Sequence, residues 1–385
     1  MNVPEFGRAR VLHVITGLGT GGAEMMLVKV LQSTCKTVDS AVVSLMKADL
    51  TAARVEALGV PVYSLGMNQG SLPGPGVVSA LLRTSRDFKP TVIQGWMYHG
   101  NLAAWLAARQ QAPRPRLIWN IRQTLYGLHL EGCLTRWIIR LGARLSAHPE
   151  RIIYNSVVSS QQHEAAGYAG SGRMVIPNGF DLTAFLPDPA ARFAVREEFG
   201  LAADTLLIGH VARHHPMKGH PSLLKAASLV VDRYPDARFL LIGLNVGKDN
   251  PGLMAQIDAL QLGNNVVLAG ERKDMPRLVA AMDLAVSASA WGEGFPNVVG
   301  EAMAAGVPCV VTDVGDSASI VGDCGLVVPP GNAAALAAAI CQLLASEPER
   351  RQQIGRDARA RVREKFSIER VGRMYLDLYQ GGAAA

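Results

Sequence analysis

A chain of 385 residues is too long for one ordinary hydrophobic core, so two domains are expected. Apolar residues make up 49% and charged residues 18%, which excludes extensive disorder, and no apolar run approaches the ~18 residues of a transmembrane helix. The net charge of +6 is uneven: residues 1–170 hold 17 Lys and Arg against 9 Asp and Glu, and the remainder holds 21 against 23.

The basic first half is expected either to meet something anionic or to carry a solvated basic face. The five cysteines, Cys35, Cys133, Cys309, Cys324 and Cys341, are scattered and contain no CxxC, which argues against structural zinc and a disulfide framework. Charged Glu5, Arg8 and Arg10 run straight into an apolar strand, unlike a cleavable leader. A cytoplasmic protein is expected, with the inner face of the cell membrane as a place where the basic half could dock.

The pattern alternates along the chain. Strands are predicted at Val11–Thr16, Ser40–Leu45, Val60–Leu65, Thr91–Gln94, Arg116–Ile121 and Arg151–Asn155. Helices are predicted at Ala23–Leu31, Thr51–Leu58, Val77–Asp87, Asn101–Arg109 and Leu134–Leu145. After a Gly-, Pro- and Asp-rich join at Ala169–Pro189, strands are predicted at Leu206–Val211, Arg238–Gly243, Val266–Leu268, Leu284–Ala288, Cys309–Thr312 and Leu326–Val328. Helical patterns lie between them, and Ala333–Ala345, Pro348–Lys365 and Ile368–Gln380 close the chain. Short apolar strands between helices imply βαβ units, hence an α/β protein with two Rossmann-like domains whose parallel sheets face across a cleft.

Three motifs carry candidate chemistry. Thr16-Gly17-Leu18-Gly19-Thr20-Gly21-Gly22-Ala23-Glu24 follows a strand and opens a helix, where backbone N–H groups can approach a phosphate. Gly17, Gly19 and Gly22 match the dinucleotide spacing, but Asp39 precedes the second strand instead of ending it, so the ribose carboxylate of that fingerprint is missing. A tight strand–helix turn without a ligand explains the same glycines.

Val211-Ala212-Arg213-His214-His215-Pro216-Met217-Lys218-Gly219 follows the first strand of the second domain. Arg213 and Lys218 can converge on one diphosphate, the first as a planar fork and the second as a point charge. Two ordinary surface cations are the plainer reading. The two histidines lack the carboxylates or cysteines that a metal site would add.

The third and most specific run is Glu293-Gly294-Phe295-Pro296-Asn297-Val298-Val299-Gly300-Glu301. Glu293 lies on a loop, Pro296 is expected at the first helical position, and Glu301 falls about one turn inside the helix. Gly294 permits close backbone approach, and the following N–H groups can donate to an anion. Two carboxylates so placed can grip two separate hydroxyl-bearing parts of one ligand; a helix cap beside a solvated Glu is the plainer reading.

Together Arg213…Lys218-Gly219 and Glu293-x7-Glu301 resemble the retaining GT-B glycosyltransferases of family 4, and the resemblance covers nearly the whole chain. Gly21-Gly22-Ala23-Glu24 is similar to the first loop of that family, and Val175-Ile176-Pro177-Asn178-Gly179-Phe180-Asp181 to its interdomain segment. Trp96-Met97-Tyr98-His99-Gly100-Asn101 and Tyr154-Asn155-Ser156 resemble segments of its polysaccharide-building members.

The resemblance implies an acceptor-side domain over 1–172, with a closing helix in 367–385 packing back on it, and a donor domain over 173–366. It implies that Arg213 and Lys218 neutralise the donor diphosphate and that Glu301 accepts from the nucleotide ribose. Glu293 and the backbone of Gly294, Phe295 and Asn297 would hold the donor sugar. Gly21 and Gly22 would face the diphosphate, and His99 would stand near the acceptor and the anomeric carbon, although a helix-capping role for His99 is also open.

The implied activity is metal-independent transfer, with retention, of a hexosyl-type sugar from a nucleotide diphosphate such as a UDP-sugar. The implied acceptor is a glycan or a polyprenyl-diphosphate-linked glycan, in polysaccharide or glycoconjugate biosynthesis. No cofactor and no metal are expected: cations and helix dipoles can stabilise a departing diphosphate, and the chain has no Asp-x-Asp pair. Three rival readings remain open: a same-fold nucleotide-sugar epimerase, a non-catalytic partner in a polysaccharide-assembly complex, and a dinucleotide oxidoreductase.

Leu134, Trp137, Ile138, Leu141 and Leu145 form one apolar helix face beside Arg136, Arg140 and Arg144. That stripe suits a lipid diphosphate at an anionic membrane and equally suits a core-facing helix with a solvated edge. No nucleic-acid reading motif appears.

Overall fold

The computed structural model describes residues 8–47, 49–68 and 70–381. The first seven and the last four residues, at the outer ends of the expected first domain and its returning helix, lie outside the described residues. The chain forms two compact units: one runs to Gly179 and takes in the segment from Ile368, and the other is Phe180–Ser367.

The first unit contains β1 (Arg10–Ile15), α1 (Gly22–Thr34), β2 (Asp39–Met46), α2 (Leu50–Glu56), β3 (Val62–Met67), α3 (Pro75–Phe88) and β4 (Val92–Trp96). It continues with α4 (Met97–Arg109), β5 (Arg116–Ile121), α5 (Cys133–Leu145), β6 (Arg151–Tyr154), α6 (Val157–Ala165) and β7 (Arg173–Val175). The second contains α7 (Pro189–Glu198), β8 (Leu207–Val211), α8 (His220–Val231), β9 (Arg238–Ile242), α9 (Pro251–Ala259), β10 (Val266–Leu268) and α10 (Met275–Ala280). Then come β11 (Leu284–Ser287), α11 (Asn297–Ala304), β12 (Cys309–Thr312), α12 (Ser317–Val321), β13 (Gly325–Val328), α13 (Ala333–Leu344) and α14 (Pro348–Lys365). The last helix, α15 (Ile368–Tyr379), belongs again to the first unit.

The first sheet has the order β3-β2-β1-β4-β5-β6-β7 and the second β10-β9-β8-β11-β12-β13, every pair parallel. Helices cover both faces, so central strands such as Val11–Ile15 are buried along their whole length and read as apolar runs, broken here only by buried His13. Trp96 and Trp119 are sealed in the first unit, while Phe239 and Leu284 lie in the core of the second. Strand order reverses between β1 and β4 in one sheet and between β8 and β11 in the other. Ligands of open α/β sheets bind outside the carboxyl ends of the strands at such points.

Several elements depart from the sequence expectations. β7 pairs with β6 in the first sheet, Ile152 opposite Arg173, so the first unit extends to Gly179 and does not stop at 172. α6 was absent from the expected pattern because its first turn, Val157-Val158-Ser159-Ser160, is made of mediocre helix formers; Ser156 starts it by accepting from Ser159 N–H. α7 lies just past the Gly/Pro-rich join, nucleated by Asp188, which caps two N–H groups ahead of Pro189. α4 begins at Met97, four residues early, with Met97 at φ +61 immediately after the β4 strand.

Within the first unit α15 docks through Tyr375 and Tyr379, both buried. Tyr375 Oη accepts from Asn120 Nδ2 (2.9 Å) and Arg122 Nη1 (3.0 Å), and Tyr379 donates to Gln94. Arg122 is a buried guanidinium with no carboxylate partner among the described residues; it also donates to Asn178 Oδ1, tying the 176–178 segment to β5. Burial lowers its pKa.

Candidate active site

In the second unit the site residues gather at the β8/β11 reversal. The loop after β8 carries Arg213 and Lys218 and ends at Gly219, which has φ +71. A Cβ on Gly219 would lie 1.8 Å from Ala288 O, so only glycine lets this loop lie against the one after β11. Ala290 N–H donates to Met217 O (2.7 Å) and fixes the two loops to each other. His215 Nδ1 accepts from Met217 N–H, closing the short turn that holds Lys218.

The loop after β11 is held from the β12 side as well. Thr312 Oγ1 donates to Ser289 O (2.6 Å), and Asp316 N–H donates to Gly294 O (2.8 Å). Gly315, at φ +62, presses on the backbone of Glu293 and Gly294, where a Cβ would come within 2.5 Å. Glu293 is therefore a carboxylate on a rigid shelf.

Lys218 Nζ forms an ion pair with Glu293 Oε1, and Ser289 Oγ donates to the same oxygen at 2.6 Å. The side chains are only 22% and 11% exposed, so water screens the pair little. Arg213, on the same loop, is exposed and its guanidinium pairs with no carboxylate among the described residues. One cation is thus held and the other is free.

Glu301 is half-buried at the fifth position of α11. The helix starts at Asn297, one residue later than expected: Pro296 stands before the first helical position, not in it. Phe295 is a core residue, stacked on Phe180 at 6.0 Å and edge-on to Phe366 at 5.5 Å, so only its backbone is available to a ligand.

Beneath the Lys218 loop lie two histidines, His210 and His220, that the sequence reading did not single out. His210, in β8, hydrogen-bonds through Nδ1 with Val286 O (2.9 Å). Its ring is 4.9 Å from that of His220, which is 5.1 Å from that of His214. Burial lowers the His210 pKa to about 4 and that of His220 to about 3, so both are neutral near pH 7. The available signal was a lone His inside an apolar strand. Among the described residues no group of three or more His, Cys, Asp or Glu side chains is arranged to hold a metal ion.

The first unit presents its own set at the β1/β4 reversal. Gly21 is the residue before α1 and caps it with no side chain, leaving the first-turn N–H groups open. Gly21 and Gly22 are exposed, and a Cβ on Gly21 would meet the Glu24 carboxylate at 2.5 Å. Asp39 begins β2, at the end away from this loop, whereas Asp49, past the other end of β2, caps α2 through Oδ1 and has its Oδ2 3.7 Å from where a Cβ on Gly19 would lie.

His99 lies in the first turn of α4, within the helix, and is half-buried. Desolvation lowers its pKa, which keeps the imidazole neutral. Gly100 lets α4 press on β1, where a Cβ would lie 2.4 Å from Val14 O, and Asn101 Oδ1 accepts from Asn120 N–H. These contacts fix the height of His99 above the sheet.

The chain matches two family models in succession: "Glycosyl transferase 4-like domain" over residues 9–179 and "Glycosyl transferases group 1" over residues 205–346. The chain belongs to this glycosyltransferase family. As a group 1 glycosyltransferase of family 4 it shares 32% identity over 254 residues with the D-inositol 3-phosphate glycosyltransferase of Segniliparus rotundus, spanning 63% of this chain and 55% of that one. It shares 30% over 142 residues with the Escherichia coli UDP-Gal:alpha-D-GlcNAc-diphosphoundecaprenol alpha-1,3-galactosyltransferase, 36% of each. The fold is GT-B: the crystal structure of Anabaena Alr3699/HepE in complex with UDP superposes with a TM-score of 0.83 at 24% identity, over 97% of this chain and all of that one. The protein is therefore a transferase of glycoconjugate biosynthesis, and among the described residues no helix is long and apolar enough to cross a membrane.

Proposed function

We propose that this glycosyltransferase transfers a sugar from a UDP-sugar, with retention and without a metal, to a glycan or lipid-linked glycan acceptor. The observation that carries this reading is the Lys218–Glu293 pair on a rigid shelf at the β8/β11 reversal, with Arg213 free on the same loop. UDP is favoured because the solved relative of the same fold holds it, and a lipid-linked acceptor because the E. coli relative is named for one.

In this reading Arg213 and Lys218 bind the diphosphate and stabilise the negative charge that grows as the phosphate oxygen leaves. Glu293 and the N–H groups of the Gly294–Asn297 turn orient the sugar, and Glu301 accepts from the ribose. Gly21 and Gly22 let the open end of α1 face the diphosphate. Neutral His99 offers one donor and one acceptor to the acceptor hydroxyl. No carboxylate or imidazole is assigned as the nucleophile; front-face attack, with the leaving phosphate oxygen taking the acceptor proton, fits such a set.

The test is a calorimetric screen of UDP-sugars and GDP-sugars, followed by turnover of the best ligand on lipid-diphosphate acceptors with analysis of the anomeric linkage. Turnover that needs an acceptor and keeps the donor's anomeric configuration supports the reading. Consumption of the nucleotide sugar without any acceptor would refute it in favour of an epimerase.

A further inference from the structure

The apolar face of α5 does not close onto the core. Ile138 and Ile139 are buried, but Trp137 is 54% exposed, and the face lines a cavity of about 230 Å³ between α3, α4 and α5. Its walls are Leu45, Val78, Leu81, Leu106 and Leu141 among other apolar residues, and Leu72, also 54% exposed, stands at it too. An engineered apolar cavity of ~150 Å³ stays dry and admits benzene, so this space suits hydrocarbon, not water.

Two further features say which hydrocarbon. α3, α4 and α5 together carry six arginines, Arg83, Arg86, Arg109, Arg136, Arg140 and Arg144, against the single acid Asp87. On α5 the arginines border the Trp137 edge of the cavity-lining face, since Arg144 follows Trp137 by two helical turns. Arg140 and Arg144 are exposed and pair with no carboxylate among the described residues. The second feature is His99, which lines the same cavity. The space therefore opens beside the carboxyl end of β4.

We propose that this cavity binds the hydrocarbon chain of a phosphate-bearing lipid, with the phosphate on the arginine-rich edge. The proposal rests on the lipid-linked acceptor reading above and gives that acceptor's anchor a place. A glycan without a lipid would leave Trp137 and Leu72 facing water for no return, and a bilayer lying on the surface would need no cavity.

The probe is a terminally brominated undecyl phosphate below its micelle concentration, read by quenching of Trp105 and Trp137, both of which line the cavity. Saturable quenching is expected, with part of it lost in Trp137→Phe. Affinity should fall about fourfold for each methylene removed from the chain. Val78→Phe, at a half-buried wall position, should weaken binding about tenfold or more while UDP binding by calorimetry stays intact. Should that variant not fold, the exposed pair Arg140→Ser with Arg144→Ser should weaken the lipid phosphate and leave UDP binding alone.

Probe affinity that does not change with chain length would show an anion site without a chain site and overturn the proposal. Binding to phosphatidylglycerol vesicles that Val78→Phe leaves unchanged would overturn it in favour of a flat membrane contact. If the protein bound no nucleotide sugar, the functional reading would fail, yet quenching would still decide the cavity.

Discussion

The two glutamates of the Glu293-x7-Glu301 run should respond oppositely to removal when the ligand is UDP alone. Glu293 Oε1 holds both Lys218 Nζ and Ser289 Oγ in the free protein. A hydrogen bond involving a charged group contributes about 1.5–3 kcal/mol net, and with side chains 22% and 11% exposed the pair belongs in that range. Diphosphate must draw Lys218 away from this carboxylate or share it. Glu293→Ala releases the ammonium, so UDP should bind as well as before or up to about tenfold tighter, since only part of that energy reaches the ligand. The same variant should lower kcat/KM for the sugar donor, because the sugar loses its carboxylate. On the proposed reading Glu301→Ala removes a ribose contact made in ground and transition states alike, and UDP should weaken by about 10- to 150-fold. Calorimetry with UDP on the two variants reads both effects. If Glu293→Ala weakens UDP as much as Glu301→Ala does, the division of labour and the role given to the Lys218–Glu293 pair are both wrong.

Turnover should persist in excess EDTA, because Arg213 and Lys218 supply the positive charge; loss that Mg²⁺ or Mn²⁺ restores would count against this. Gly219→Ala places a non-glycine at φ +71 and a Cβ against Ala288 O; a cost of at least about 2 kcal/mol is expected from the backbone and the clash, read as a lower Tm together with weaker UDP binding. Stability should fall in acid: His210 and His220 are neutral when folded, with pKa values near 4 and 3, and bind a proton near 6.5 when unfolded. The unfolded state therefore holds more protons between about pH 6.5 and 4, and each histidine removes roughly 1.4 kcal/mol by pH 5.5; a denaturation midpoint flat from pH 7 to 5 would refute the assignment of neutral buried rings.

The sheet strands were legible because both faces of a parallel sheet are buried. Cys309–Thr312 is apolar or β-branched throughout, while Val11–Ile15 and Arg116–Ile121 are mostly so, broken inside only by buried His13 and Asn120, and no other period competes. What failed locally was punctuation. The start of α4 at Met97 could not be read, because a positive φ on a bulky residue runs against local preference and is imposed by Gly95 and Gly100 packing against Asn101 and β1. β7 was lost in a Gly/Pro-rich stretch because three residues carry too little pattern, and its strand identity comes from pairing with β6.

The grouping of the candidate site was legible to the extent that its charged side chains stand near glycines in sequence. Lys218 stands next to Gly219, and Glu293 next to Gly294, so the residue types and their spacing were enough to mark them. The supports from β12 and the turn after it were not legible, because they are distant in sequence. Ser289 reaches Glu293 only after Thr312 has fixed its carbonyl, and Gly315 meets Glu293 across the β11–β12 neighbours. The consequence is electrostatic as well as mechanical. Sequence alone counts two cations for a diphosphate, Arg213 and Lys218. The folded loop offers one free cation and one already neutralised by Glu293. Such a pairing leaves less uncompensated positive charge in a part-buried position, where an unpaired ion would be costly. On the proposed reading the ammonium would pass between two anions, the carboxylate and the incoming diphosphate, without being left bare.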